Sequence, residues 1–328
     1  MRLPGHRPRT GDPLRSARAT PAEIEARLRR FELLVLRRLE GLLQGNHLGL
    51  LPGAGSERAE SREYRIGDDV RRMDWAVSAR TTVPHVNDLI ADRELTTYAV
   101  VDLSPSMEFG TAVWEKRDLA MAATTAFGTL TSRLGSRFGA VVLSGDPDRP
   151  VRDLPPLAGR TALRQVLRTL AATPRTAENS PLPVPRAAGP GLESALDRLA
   201  RRPLRRGLVV VVSDFLGSPT AWERPLRALA ARHQVLAVEV RDPRELTLPS
   251  MGVLSLVDPE TGRLLEIDTG SAKLRARYEA AALDRRQEVA ATLRRCRAGH
   301  LVLRTDEDWL LAVVRHVASA RRRRGLAA

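Results

Sequence analysis

The sequence has few of the residues that several protein classes depend on. Its 328 residues include one cysteine, Cys296, so an internal disulfide is excluded and a reducing compartment is expected. Aromatic residues make up 4% of the chain, which leaves few stacking platforms for single-stranded nucleic acid. No apolar run approaches the ~20 residues of a membrane-spanning helix, and the first residues lack the apolar core of a signal peptide. These absences predict a soluble cytoplasmic protein.

Lysine is also scarce, because Lys116 and Lys273 are the only two and every other basic residue is arginine. The net charge is +14, but its distribution is uneven. Five Arg and one Asp in residues 1–20, with the four Arg of 321–324, hold eight of these charges. We expect residues 1–19 and 321–328 to be basic tails. Nucleic-acid binding through these tails is an alternative function, and we do not expect it to be the main one.

Apolar strands alternate with amphipathic helices along most of the chain, and 43% of the residues are hydrophobic. This alternation predicts an α/β fold with a doubly wound, mostly parallel sheet. The predicted strands are Tyr98–Val101, Phe138–Leu143, Leu208–Val212, Gln234–Val240 and His300–Leu303. The predicted helices cover 111–134, 160–172, 191–201, 219–232, 271–297 and 306–318. Residues 245–269 interrupt the rhythm, where Val253–Val257 and Arg263–Ile267 flank a turn sequence and predict a β-hairpin insertion.

The region before the first of these strands predicts a helix and a charged extension. Thr20 begins a capping box, and apolar residues recur at helical spacing as far as Leu42. Turn residues at 67–69 then precede a short helix expected from Val70, with an Asp as its cap. We expect 20–97 to pack on a main domain at 98–320. The charged extension is either a connector held by ion pairs or a surface that recognises a partner.

Oxygen-bearing side chains follow two of the predicted strands. Asp102, Ser104 and Ser106 come after the first strand, and Asp214 follows Leu208–Val212. Ligands in doubly wound sheets bind beyond the carboxyl ends of the strands, so these four residues are candidate ligands of one metal ion. An all-oxygen set suits Mg²⁺ or Mn²⁺. The alternative is that Asp102 and the serines only cap a helix and satisfy a tight turn.

The sequence offers little support for catalysis. No histidine or lysine lies close in sequence to either motif to act as an acid or base, and His85, His233 and His300 are isolated. No glycine-rich phosphate loop is present. We therefore expect a protein that is not an enzyme, with a metal-dependent phosphoester hydrolase as the alternative.

Two patterns carry a resemblance to known families. Asp102-Leu103-Ser104-Pro105-Ser106 together with Asp214 resembles the metal-ion-dependent adhesion site (MIDAS) of von Willebrand factor A domains. A wider pattern, over residues 45 to 305, resembles the bacterial family called domain of unknown function 58, DUF58. It includes the run from Tyr64 to Trp75 and the 258–262 turn with Asp268. The signature residues that we match to the family are Arg65, Gly67, Asp68, Asp69, Arg71, Asp74, Trp75 and Arg80.

The resemblance implies a von Willebrand factor A-like fold and a non-enzymatic role in protein–protein interaction. It also implies a partner, a MoxR-type AAA+ ATPase, with which the protein would act in the assembly or maturation of other proteins. One departure concerns the metal. The adhesion site normally adds a threonine from a later loop, but the corresponding stretch, 189–194, contains none. We expect bound Mg²⁺ or Mn²⁺ to rely on water and on a partner carboxylate instead.

Overall fold

The computed structural model describes residues 61–65, 68–70, 73–87, 96–131, 136–146, 148–175, 189–258 and 263–325, with Val35 and Arg37. The chain divides into two compact units, a smaller one at 47–94 and a larger one formed by 1–46 and 95–328. The predicted helix from Thr20 lies outside the described residues apart from Val35 and Arg37, which are both helical.

The smaller unit contains two short strands and one helix. Strand β1 (Ser61–Glu63) pairs antiparallel with β2 (His85–Asn87), and helix α1 (Trp75–Thr81) lies between them in the chain. The short helix expected from Val70 is seen as 3₁₀ conformation at Val70, residues 71–72 lie outside the described part, and the α-helix α1 begins separately at Trp75. Its cap is Asp74, whose Oδ1 accepts the N–H groups of Ala76 and Val77 at 3.1 and 3.0 Å.

The larger unit is built on a six-stranded sheet in the order β10-β7-β6-β3-β4-β5. Its strands are β3 (Thr96–Leu103), β4 (Arg137–Ser144), β5 (Val151–Ala158), β6 (Leu208–Ser213), β7 (Gln234–Arg241) and β10 (Gly299–Arg304). All neighbours pair in parallel except β4 and β5. The carboxyl ends of β3, β4, β6, β7 and β10 therefore share one edge of the sheet, which we call the carboxyl edge.

Helices cover both faces of this sheet. They are α2 (Lys116–Thr131), α3 (Arg160–Ala172), α4 (Leu192–Ala200), α5 (Pro219–Ala230), α6 (Ala272–Arg295) and α7 (Trp309–Gly325). Val209 and Val211 of β6 pack in one core with α4, α5 and α6. Since side chains alternate along a strand, Val210 and Val212 face the opposite layer, which contains α2. The predicted α/β fold with a doubly wound, mostly parallel sheet is confirmed.

The predicted hairpin is present as β8 (Val253–Val257) paired antiparallel with β9 (Leu264–Asp268). Two elements differ from the sequence predictions. Strand β5 was not predicted, and α7 continues to Gly325, so the start of the expected C-terminal tail is helical. None of the helices in the described ranges combines the length and apolar character that a membrane-spanning segment requires.

Candidate functional site

The site begins at the carboxyl end of β3, a strand whose residues are all buried. Asp102, the penultimate residue, is 4% exposed. Its Oδ1 accepts the N–H of Ser104 at 2.9 Å, and its Oδ2 accepts the hydroxyl of Ser213, at the end of β6, at 2.6 Å. Asp102 therefore fixes its own loop and joins the ends of two neighbouring strands.

The two predicted serines lie together in the turn that follows. Ser104 precedes a 3₁₀ helix, Pro105–Glu108, and its Oγ lies 3.2 Å from Oγ of Ser106. Pro105 suits the first position of this short helix, because its missing N–H would have no partner there. The structure thus brings Asp102, Ser104 and Ser106 into one loop, as the sequence predicts.

Asp214 lies on the neighbouring loop, directly after β6. Its Oδ1 accepts the N–H of Leu216 at 3.1 Å, and its Oδ2 faces the start of α2. Burial, and then the negative charge of Asp214, raises the pKa of Asp102 to about 6, while the hydrogen bonds from Ser213 and Ser104 act in the opposite direction. The charges of Asp102 and Asp214 therefore repel each other, and hydrogen bonds join Asp102 to Ser104 and Ser104 to Ser106.

Sequence reasoning missed the cation of this group. Lys116, the first residue of α2, is fully buried, and its Nζ donates to Oδ2 of Asp214 at 2.8 Å and to Oε1 of Glu245. Nζ also lies 5.9 Å from the centroid of the Phe109 ring. Burial alone would lower the pKa of Lys116, but the two carboxylates outweigh it and raise that pKa, so the ammonium stays charged.

Glu245, the second partner of Lys116, follows the end of β7 in the chain. It belongs to a short 3₁₀ helix, Pro243–Glu245, that begins with a capping box, in which its Oε2 accepts the N–H of Asp242 at 3.1 Å. Asp242 is fully buried and accepts Thr111 N at 2.8 Å and Thr111 Oγ1 at 2.6 Å. It also accepts the hydroxyl of Thr305, after β10, at 2.8 Å. Loops after three strands are thus held by one carboxylate.

The expectation that no histidine or lysine lies close in sequence to either motif is therefore corrected. Lys116 follows Ser106 by ten residues, and the β3–α2 loop brings its Nζ to Asp214, 98 residues away in the chain. One sequence signal pointed to this residue, namely that it is one of only two lysines among 53 basic residues. Nothing in the local sequence indicated Glu245 as its second partner.

Comparison with known proteins assigns a family. The model of the family described as "Protein of unknown function DUF58" matches residues 60–288. The chain belongs to this family. Its DUF58 region includes the signature residues, Asp102, Lys116, Asp214 and Glu245.

The chain is also similar to curated relatives and to solved structures. Uncharacterized proteins of Mycobacterium tuberculosis and Mycobacterium bovis are 50% identical over 300 residues, covering 92% of this chain and 90% of theirs. Among solved structures, a conserved hypothetical protein BatB from Bacteroides thetaiotaomicron is 15% identical with a TM-score of 0.41, over 70% of this chain and 99% of its own. A von Willebrand factor type A protein from Catenulispora acidiphila is 14% identical with a TM-score of 0.31, over 64% and 44%.

The DUF58 signature residues lie in the smaller unit. Asp68 Oδ2 accepts the N–H of Arg65 at 2.8 Å, which closes a turn, and Asp74 caps α1. Trp75 is 71% exposed, and Asp69 and Arg80 are also exposed. Gly67 and Arg71 lie outside the described residues.

The donor set fits a divalent ion poorly. In the part of the chain that the structure describes, no three His, Cys, Asp or Glu side chains are arranged to hold a metal ion. One oxygen of Asp214 already binds an ammonium, and both oxygens of Asp102 accept protein hydrogen bonds. Ser194 lies in α4, so it does not replace the missing threonine.

Proposed function

We propose that this DUF58 protein is a non-enzymatic protein-interaction module that binds its partner at the carboxyl edge of the sheet. One observation carries the proposal. The β3–α2 loop and the loop after β6, which position the buried charges, each expose an apolar side chain to solvent. Val113 is 74% exposed and Leu216 is 48% exposed. Exposed apolar side chains rimmed by polar groups are typical of a protein contact surface.

The buried charges support a structural rather than a catalytic role. Asp214, Glu245 and Lys116 satisfy one another, and the Lys116 side chain is 0% exposed. A general acid or base must reach the substrate, and this ammonium is enclosed by its partners. The charges instead support the loops on which Val113 and Leu216 are presented.

The resemblance names the partner class, a MoxR-type AAA+ ATPase acting in the assembly or maturation of other proteins. A folded domain with a rigid loop edge is suited to recruit such a machine or its client. In the smaller unit, Trp75 and Val70, exposed by 71% and 62%, offer a second apolar contact of the kind enriched in interfaces.

The partner contact is tested with the purified MoxR-type ATPase of the same organism. The charge-introducing variants Val113→Asp and Leu216→Asp should each weaken binding by about tenfold or more, because each would bury a carboxylate without a partner. Leu157→Asp is the matched control, since Leu157 is 43% exposed on β5 and pairs with Phe138 at the amino end of β4. Biolayer interferometry gives the dissociation constants.

Equal binding by all four proteins would exclude the carboxyl edge as the contact. A phosphatase assay with Mn²⁺ tests the alternative of a metal-dependent hydrolase, because the proposal expects no turnover above that of an Asp102→Asn, Asp214→Asn double variant. Deletion of residues 1–19 and 321–328 should remove any nucleic-acid binding without changing the affinity for the ATPase.

A further inference from the structure

We propose that the Lys116 ammonium is the resident cation of the carboxyl edge, and that it occupies the position where the resemblance to a metal-ion-dependent adhesion site leads one to expect a divalent ion. The crevice would then be assembled and functional without a metal. This inference concerns the cation itself and goes beyond the proposed partner contact.

Two carboxylates from different strand ends converge on one point, and Nζ of Lys116 lies there. Asp214 comes from the loop after β6 and Glu245 from the 3₁₀ helix after β7. Nζ is 2.8 Å from Asp214 Oδ2 and is also hydrogen-bonded to Glu245 Oε1. Such convergence of carboxylates from separate loops is what an ion at this edge would produce.

Charge makes the ammonium and a divalent ion mutually exclusive. The Lys116 side chain is 0% exposed and that of Asp214 is 4% exposed, so solvent screens their interaction little. A divalent ion on the same oxygen of Asp214 would lie beside a buried positive charge and repel it strongly. Release of Lys116 from its two partners would leave an unpaired buried charge, which is costly.

The other predicted ligand is also satisfied without a metal. Oδ1 of Asp102 accepts from the Ser104 backbone, and Oδ2 accepts from the Ser213 hydroxyl at 2.6 Å. The Ser104 and Ser106 hydroxyls contact each other at 3.2 Å. The loop therefore needs no ion to hold its shape.

The choice of residue fits this role. Among 53 basic residues the chain uses lysine twice, and one of the two is fully buried at this point. An ammonium is a compact point charge, whereas a planar guanidinium requires more space and a different hydrogen-bond geometry. The other lysine, Lys273, is exposed on α6, which makes it a matched control.

The test is titration of the full chain with Mn²⁺, followed by electron paramagnetic resonance of free Mn²⁺. Wild type and Lys273→Met should show no saturable site up to about 1 mM Mn²⁺. Lys116→Met should gain one Mn²⁺ site with a dissociation constant at least about tenfold below that ~1 mM limit, because the competing ammonium is removed and the carboxylates of Asp214 and Glu245 are freed. Adding Asp214→Asn to Lys116→Met should remove the gain.

Saturable Mn²⁺ binding by wild type that Asp102→Asn abolishes would overturn the proposal. A folded Lys116→Met protein that gains no site would also overturn it, since the ammonium would then be an ordinary ion-pair partner. If Lys116→Met does not fold, the wild-type titration decides alone, and the absence of a saturable Mn²⁺ site supports the proposal. The titration uses no partner, so its result is independent of the proposed interaction.

Discussion

At the level of single residues, the molecule pairs its buried charges. Glu239 of β7 is 3% exposed, and its Oε2 lies 2.7 Å from Nη2 of Arg241 and 2.7 Å from Nε2 of His300 on β10. An ionised carboxylate only accepts hydrogen bonds, so Nε2 of His300 carries the proton. Burial acts to raise the pKa of Glu239, but the bonds from His300 and Arg241 outweigh it and lower that pKa. The carboxylate is thus an acid-sensitive part of the fold.

Glu239→Gln should lower the free energy of unfolding by about 2 kcal/mol at neutral pH, because a charged hydrogen-bond acceptor is lost. The native pKa lies below the ordinary value of 4.5, so this contribution is complete above 4.5 and is lost as pH falls through the native pKa. Urea unfolding should show that the difference in free energy of unfolding between wild type and variant is smaller at about pH 3 than at about pH 7. Glu266→Gln, at an exposed position on β9, should show no such difference. A difference between wild type and Glu239→Gln that stayed constant with pH would contradict this account.

At the level of elements, β5 shows why one strand was not predicted. Its sequence contains Pro155 and Pro156, which usually argue against a strand. The register with β4 shifts here, so these two prolines oppose the single residue Gly139. A Cβ at Gly139 would lie 2.8 Å from the Pro156 nitrogen. The prolines therefore sit in a bulge of an edge strand, where no ladder donor is needed.

Helix α1 depends on the side chain of Asp74, which caps its first turn. Asp74→Ala should destabilise the smaller unit by about 1 kcal/mol, because two backbone N–H groups lose their acceptor. Asp74→Asn keeps a side-chain oxygen and should cost only a few tenths. Hydrogen exchange at the amides of Ala76 and Val77 measures the effect, and faster exchange in both variants alike would argue against the capping role.

At the level of the whole molecule, Asp242 joins parts of the chain that are distant in sequence. It receives hydrogen bonds from Thr111, 131 residues away, and from Thr305, 63 residues away. Asp242 thereby couples the β3–α2 loop to the ends of β7 and β10. The geometry of Val113 and Lys116 depends on this coupling, since both belong to that loop or to the helix it begins.

Asp242→Ala should lower the free energy of unfolding by about 3 kcal/mol, since several buried donors lose a charged acceptor. It should also speed hydrogen exchange over residues 111–114 in the native state. The control is Asp306→Ala, because exposed Asp306 pairs only locally with Arg304 and should cost under about 1 kcal/mol. Unchanged exchange at Thr111 would show that Asp242 does not hold the loop.

The site residues that are joined by local contacts could be predicted from the sequence, and those joined only by long-range contacts could not. Asp102, Ser104 and Ser106 were found from sequence, because one strand end and one turn place all three. Asp214 was found through the rule that parallel strands share an edge. Lys116 and Glu245 were missed, because Lys116 lies 98 residues from Asp214 and 129 residues from Glu245 in the chain. Hydrophobic periodicity carries no information about pairs at such separations.

The sequence by itself determined the alternation of strands and helices, and with it the doubly wound sheet, because hydrophobic periodicity is a local property of the chain. It also determined which hydroxyls and carboxylates stand at strand ends. Only the tertiary structure decided which charge these carboxylates face. The packing of α2 against the sheet buries the Lys116 ammonium between two loops, and a buried charge is stable only where opposite charges meet it.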